Sequence, residues 1–153
     1  MCPKLTVDEV ADYLIALAHQ RGETVNNLKL EKLLYYAQAW HLARYDEPLF
    51  EAAFEAWSSG PVIPAIYYRF RSFGINPLPV AAELPELDPR TAEFLDEIAD
   101  EYLPFSEWEL EWQVHREAPW LDARGGLDVS EPCRAEMSED DMRAYYRRLA
   151  DAA

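Results

Sequence analysis

The sequence predicts a mainly α fold, a compact single-domain helical bundle of about six or seven helices with at most a short strand-like arm. Three observations carry that prediction. Capping residues recur immediately before apolar runs of helical period, as at Thr6-x-x-Glu9 and Ser106-x-x-Glu109. Prolines and glycines stand at the ends of those runs rather than inside them. The chain has 153 residues, half of them hydrophobic, which suits one domain over 1–153 able to bury roughly 70% of its unfolded surface.

The first helix opens at Thr6, whose capping box satisfies two free backbone donors. Val7, Val10, Ala11, Leu14, Leu17 and Ala18 make its buried stripe, and Gly22 ends it. Asn26 or Asn27 caps the second helix, which runs to about Arg44. Its apolar set, Leu30, Leu33, Leu34, Ala37, Trp40 and His41, spans a wide face, so the helix is expected at the centre. Asp46-Glu47-Pro48 breaks it. Phe54–Val62, around Ser58-Ser59-Gly60-Pro61, fits either a strand-like arm with a turn or the end of a short helix beginning near Glu51. Pro64 starts a helix over Ala65–Phe73, with Ile66, Tyr67 and Phe70 inward and Gly74 as its stop. Residues 75–88 form a proline-rich connector. Asp88-Pro89 launches a helix to about Leu103, with Ala92, Leu95, Ile98, Ala99 and Tyr102 inward and five acids outward. Pro104 ends it, and Ser106 opens a helix with Trp108, Glu111, Trp112 and His115 on one face. Glu117–Gly126 is expected to be loop, since Pro119 blocks continuation. Ser138-x-x-Asp141 caps a last helix carrying Met142, Tyr145, Tyr146 and Leu149.

Charge narrows the function. There are 14 Lys+Arg against 29 Asp+Glu, a net charge of −15. Residues 1–75 hold 7 basic and 9 acidic groups, whereas 76–153 hold 7 and 20. Phosphate backbones and acidic membrane surfaces demand the opposite sign, so neither nucleic acid nor membrane is expected as a partner. A basic protein would be captured faster by such a surface; acidic helices also simply stay soluble. No apolar run approaches the ~20 residues that cross a bilayer. The N-terminus lacks the apolar core of a signal peptide, and Cys2 and Cys133 form neither a zinc spacing nor a disulfide framework, so the expected location is cytoplasmic.

Chemistry has few candidates. His41, His115, Glu117 and Asp122 could form an acid–base set if the loop folds back on the central helix, as in a small hydrolase or transferase. His-x-Glu at 115 and 117 matches half of a deaminase signature, without its Pro-Cys-x-x-Cys half. A metal would need His19, His41 and His115 from distant places. No phosphate loop, dinucleotide fingerprint or nucleophile elbow is present. The reading is therefore no enzyme, no cofactor and no metal.

Recognition is better supplied. Trp40, Trp57, Trp108, Trp112 and Trp120 are many tryptophans for this length, and such side chains anchor interfaces. Trp40 and Trp108 fall on core stripes and are read as packing. Trp57 and Trp120 stand in irregular segments beside prolines and are read as a surface platform with Pro61, Tyr67, Arg69 and Phe70. His115 and Glu117 are expected to hold the Glu117–Trp120 loop by hydrogen bonds, against the Gly60-Pro61 turn.

The motif LKLxKLLYYAQxWHL from Leu28, the Pro48–Phe50 segment, EAWxxGPVxP at Glu55–Pro64, Tyr67–Phe70 and HxExPW at His115–Trp120 occur in order over roughly Val7 to Trp120. Their combination resembles the Panacea domain family of bacterial and phage antitoxins, typified by SocA- and GepA-like proteins. Asp46-Glu47 fills a turn where family members tend to carry glycine. The resemblance implies an antitoxin that neutralises a cognate protein toxin by direct binding. SocA-like members resemble adaptors that deliver the toxin to a cytoplasmic protease, a second implied partner. Tyr35, Tyr36, Trp40, His41, His115, Glu117 and Pro119 would support the motifs.

Overall fold

The computed structural model, which describes residues 5–152, contains seven α-helices and a two-stranded hairpin. They are α1 (Val7–Gln20), α2 (Asn27–Tyr45), β1 (Glu55–Trp57), β2 (Gly60–Val62), α3 (Pro64–Phe70), α4 (Pro89–Tyr102), α5 (Glu107–Val114), α6 (Ala118–Arg124) and α7 (Glu139–Ala152). Cys2 lies outside the described residues.

The caps read from sequence form. The side chains of Thr6 and Glu9 exchange hydrogen bonds with each other's backbone, as do those of Ser106 and Glu109. Asn26 accepts from the Lys29 amide, Asp88 from Thr91 and Ser138 from Asp141. Helix α2 ends on Asp46, whose φ of 60° is the left-handed conformation that glycine adopts without strain and aspartate tolerates.

Helix α2 is the axis of the fold. Every residue from Lys29 to Ala39 is buried, and α1, α3, α4, α5, α7 and β2 all pack on it. Leu30, Leu33, Leu34, Ala37 and Leu42 fill its apolar contacts. Burying every residue of this stretch also buries its polar ones, and each needs a partner. Gln38 meets that demand with its amide: Nε2 donates to the Phe50 carbonyl at 2.7 Å, while Oε1 accepts from the Leu49 and Phe50 amides. Lys29 Nζ donates to the Leu103 carbonyl at 2.7 Å and ties α2 to the end of α4.

The 54–62 segment is the strand-like arm. β1 and β2 pair antiparallel with Ala56 opposite Pro61. Glu55 also bridges Glu136, and the Ala56 amide donates to Ala135, so the segment before α7 lies along β1.

Three expectations need correction. The predicted loop at Glu117–Gly126 is largely α6, because Pro119 falls in the first helical turn, where its missing N–H has no intrahelical partner to lose. The predicted helix over Ala65–Phe73 is α-helical only to Phe70 and tightens to a 3₁₀ turn at Arg71–Phe73; Tyr67 sits at the rim rather than inside. On α5, Leu110 and Val114 face the core, whereas Trp108 and Trp112 are 61% and 62% exposed. Apolar residues occupy both faces of that short helix, and only the smaller aliphatic pair fits the tight space against α2 and β2.

Candidate functional site

The hairpin sits on a buried polar layer. Gly60, at φ +118°, lies so close to α2 that a Cβ there would meet Lys32 Cε at 3.3 Å and Val114 Cγ1 at 3.4 Å. Lys32 is enclosed and its ammonium is 3.8 Å from Glu111 Oε1 on α5. Burial lowers its pKa against the pull of Glu111 and Glu31. Glu31, 2% exposed, accepts from the Ile63 amide at 2.8 Å through Oε2, which holds the residue that caps α3. Burial pushes the Glu31 carboxyl up to about 8, and its Oε1 has no partner.

Behind the hairpin, α6 supplies two clasps. Arg124 donates to the Ala56 carbonyl at 2.9 Å, to Asp128 at 2.7 Å and to Glu131 at 2.6 Å, joining β1 to the loop after α6. Trp120 Nε1 donates to the Trp57 carbonyl at 2.9 Å. The Trp120 ring stacks on His115 (4.2 Å, 18° between planes), and the Arg124 guanidinium lies 4.8 Å from its centre. Glu117, the residue that caps α6, accepts from Tyr35 Oη at 2.8 Å and from Tyr146 Oη at 2.8 and 3.0 Å. Burial pushes its carboxyl up to about 7, against those hydroxyls.

The residues read as partner-binding are divided by this arrangement. Trp120 is only 3% exposed, and Pro61 and Phe70 are also buried, so these three hold the hairpin and α3 from inside instead of presenting a platform. The reason for Trp120 is that α6 folds back under β1, a tertiary contact its proline-flanked context does not reveal. Arg69 is exposed but engaged, pairing with Asp8 at 2.9 Å and Asp12 at 2.7 Å across α1. Trp57 and Tyr67 are half-buried and meet edge to face at 5.1 Å. Two further side chains complete that surface. Tyr68, half-exposed, lies 5.4 Å from Tyr67 and accepts from Arg134 at 3.0 Å. Arg134 in turn lies over Trp57 at 5.2 Å and 3.5 Å from Glu55. Tyr68 was signalled by its place beside Tyr67; Arg134 carries no sequence signal, because the register of Ala135 on Ala56 delivers it.

The motif-supporting residues all sit in or against the core. Tyr36 donates to the Leu110 carbonyl and stacks on Tyr102, whose hydroxyl accepts from Trp40 Nε1 at 2.6 Å. His41 Nδ1 donates to the Glu47 carbonyl at 2.7 Å and its ring meets Phe94. The Ser58 backbone approaches the His115 ring, whose Nε2 is buried without a partner; burial lowers its pKa. The expected Glu117 hydrogen bonds go to Tyr35 and Tyr146 rather than to the Gly60-Pro61 turn.

The acid–base candidates are engaged separately: His41 with Glu47, His115 with Trp120, Glu117 with two tyrosines, while Asp122 and His19 are exposed. Among the described residues no three His, Cys, Asp or Glu side chains converge as a metal site, and no helix is long and apolar enough to cross a membrane.

The chain is 40% identical over 65 residues to Antitoxin SocA of Caulobacter vibrioides; the match covers 42% of this chain and spans 35% of that relative's length. No solved structure matches. A family described as antitoxin SocA-like, Panacea domain, matches residues 30–121, the stretch that contains most of α2, the hairpin, the Trp120 clasp and the exposed tryptophans of α5, but not Arg124. With most of its length inside that match, the chain belongs to the antitoxin SocA-like, Panacea domain family.

Proposed function

We propose that this chain is an antitoxin that silences a cognate protein toxin in the cytoplasm by direct contact, without transforming any substrate. The observation that supports this reading is the aromatic face of the hairpin and α3. Trp57, Tyr67 and Tyr68 form a continuous ring-to-ring surface. The buried layer beneath fixes their backbone through Glu31, Trp120 and Arg124. Rigid aromatic area of this sort loses little entropy when it binds and typically dominates interface energy. Membership of an antitoxin family and the excess of acids agree with a basic protein partner.

The experiment is co-expression with the product of the neighbouring reading frame. Growth rescue, a stoichiometric complex on purification, and loss of both in a Trp57→Ala, Tyr68→Ala variant of unchanged fold are expected. No rescue and no complex would overturn the proposal, as would turnover of a small molecule abolished by His41→Gln and His115→Gln. A toxin half-life shortened by this protein only in cells holding the cytoplasmic protease would replace occlusion by delivery.

A further inference from the structure

Helix α5 turns its two tryptophans away from the core. Trp108 and Trp112 are one helical turn apart and both mostly exposed. The helix reads Glu-Trp-Glu-Leu-Glu-Trp-Gln-Val, three carboxylates and no cation. Its caps and inward residues are complete without the indoles: Ser106 and Glu109 close the first turn, and Leu110 and Val114 fill the contact with α2 and β2. Two large exposed indoles outside the core contacts present area for a ligand.

Chemistry selects which one. An indole face attracts a cation through its quadrupole, and a planar guanidinium both stacks on the ring and forks onto a carboxylate. The protein already shows this pairing, for Arg116 lies 4.4 Å over the Trp112 ring. The helix therefore combines the two halves of an arginine receptor, indole planes and carboxylates, of which Glu107, Glu109 and Glu111 each engage Oε1 with Asn26, Ser106 or Lys32. The net charge of −15 points the same way, since it favours a cationic partner. The face also adjoins the hairpin surface. Asn26 bonds Glu107 at the start of α5 while Asn27 bonds the Tyr67 carbonyl, so both surfaces flank the start of α2.

We infer that the outer face of α5 docks an arginine-bearing segment of the partner, with guanidinium groups stacked on Trp108 and Trp112 and paired with Glu109 and its neighbouring glutamates. The inference rests on the proposed toxin-binding role and gives that partner a required chemistry.

Two measurements test it. In the first, a helical peptide with arginine at every fourth position is titrated into the protein, and the five indole N–H signals are followed by NMR. Trp108 and Trp112 shift, the same peptide with lysine binds about threefold or more weakly, and a Trp108→Ala, Trp112→Ala variant loses about tenfold in affinity while its unfolding midpoint stays put. Shifts centred on Trp57, equal binding of the lysine peptide, or unchanged affinity of the variant would overturn the inference. In the second, the variant is co-expressed with the neighbouring-frame toxin. Protection by the wild-type protein and failure of the folded variant support it. Equal protection by both sinks the α5 face alone, whereas no protection by the wild type sinks the antitoxin reading itself. If sedimentation shows a wild-type dimer that the variant dissolves, a second copy covers α5 and the arginine receptor is refuted.

Discussion

Replacing Glu117 by glutamine keeps the shape of the side chain and one acceptor oxygen while removing its titration. The wild-type carboxyl is 6% exposed, accepts from Tyr35 and Tyr146, and is pushed by burial from the ordinary 4.5 to about 7. The sign follows from proton linkage. Between these two values the folded chain holds a proton that the unfolded chain has released, so this group's stabilisation is complete below 4.5 and is lost as pH rises through about 7. From about pH 8.5 to about pH 5.5 the difference amounts to about 2 kcal/mol, at 1.36 kcal/mol per unit. Glu31 acts in the same direction, while His41 and His115, whose pKa values burial lowers, act in the opposite one at acid pH. All three remain in the variant, so the difference between the two proteins isolates Glu117. Urea unfolding followed by tryptophan fluorescence at the two pH values is the assay. Wild type is expected to gain stability on acidification relative to Glu117→Gln by about that amount. A Glu117→Leu variant strands two buried hydroxyls at about 1–3 kcal/mol each and is expected to lose roughly 2–6 kcal/mol. Parallel pH profiles for wild type and Glu117→Gln, or a leucine variant as stable as wild type, would refute the reasoning.

Further consequences are open to measurement. Gly60→Ala combines a left-handed φ with contacts to Lys32 and Val114 and should cost about 1–3 kcal/mol in chemical unfolding. Gln38→Leu leaves the Leu49 and Phe50 amides without their acceptor, so a loss of roughly 2–4 kcal/mol is expected, with the Pro48–Phe50 segment exchanging amide hydrogens faster. The net charge of −15 should make capture of a basic partner slow markedly as salt rises through about 0.15 M, where the Debye length is about 8 Å; stopped-flow mixing reads this directly.

How much of this was legible beforehand depends on whether a feature is local. The helix caps at Thr6, Asn26, Asp88, Ser106 and Ser138 act within three or four residues, and each was readable. So was the central place of α2, because its apolar face is too wide for a surface helix. The orientation of α5 was not, since Trp108 and Leu110 compete for the core and the winner is set by the space that β2 leaves. Trp120 reads as an exposed anchor because it stands in an irregular segment beside a proline, and Phe70 reads both as inward on its helix and as an extension of the platform; the burial of both follows from where α6 and α3 dock. Arg124 and Gln38, which organise the loops, carry no periodic signal: their partners are backbone carbonyls and amides brought close only by the finished fold.

From Lys29 to Ala39, α2 is enclosed and has no outer surface on which evolution can experiment. Any change along Lys29–Ala39 must be answered by a neighbour in one of the six elements that surround it. In the proposed antitoxin role, adaptation to a new partner must therefore be written in the shell, where a ring or a charge can be exchanged without disturbing the axle. A saturation scan scored for folding alone should go dark along α2, whereas one scored for protection should add losses at the periphery.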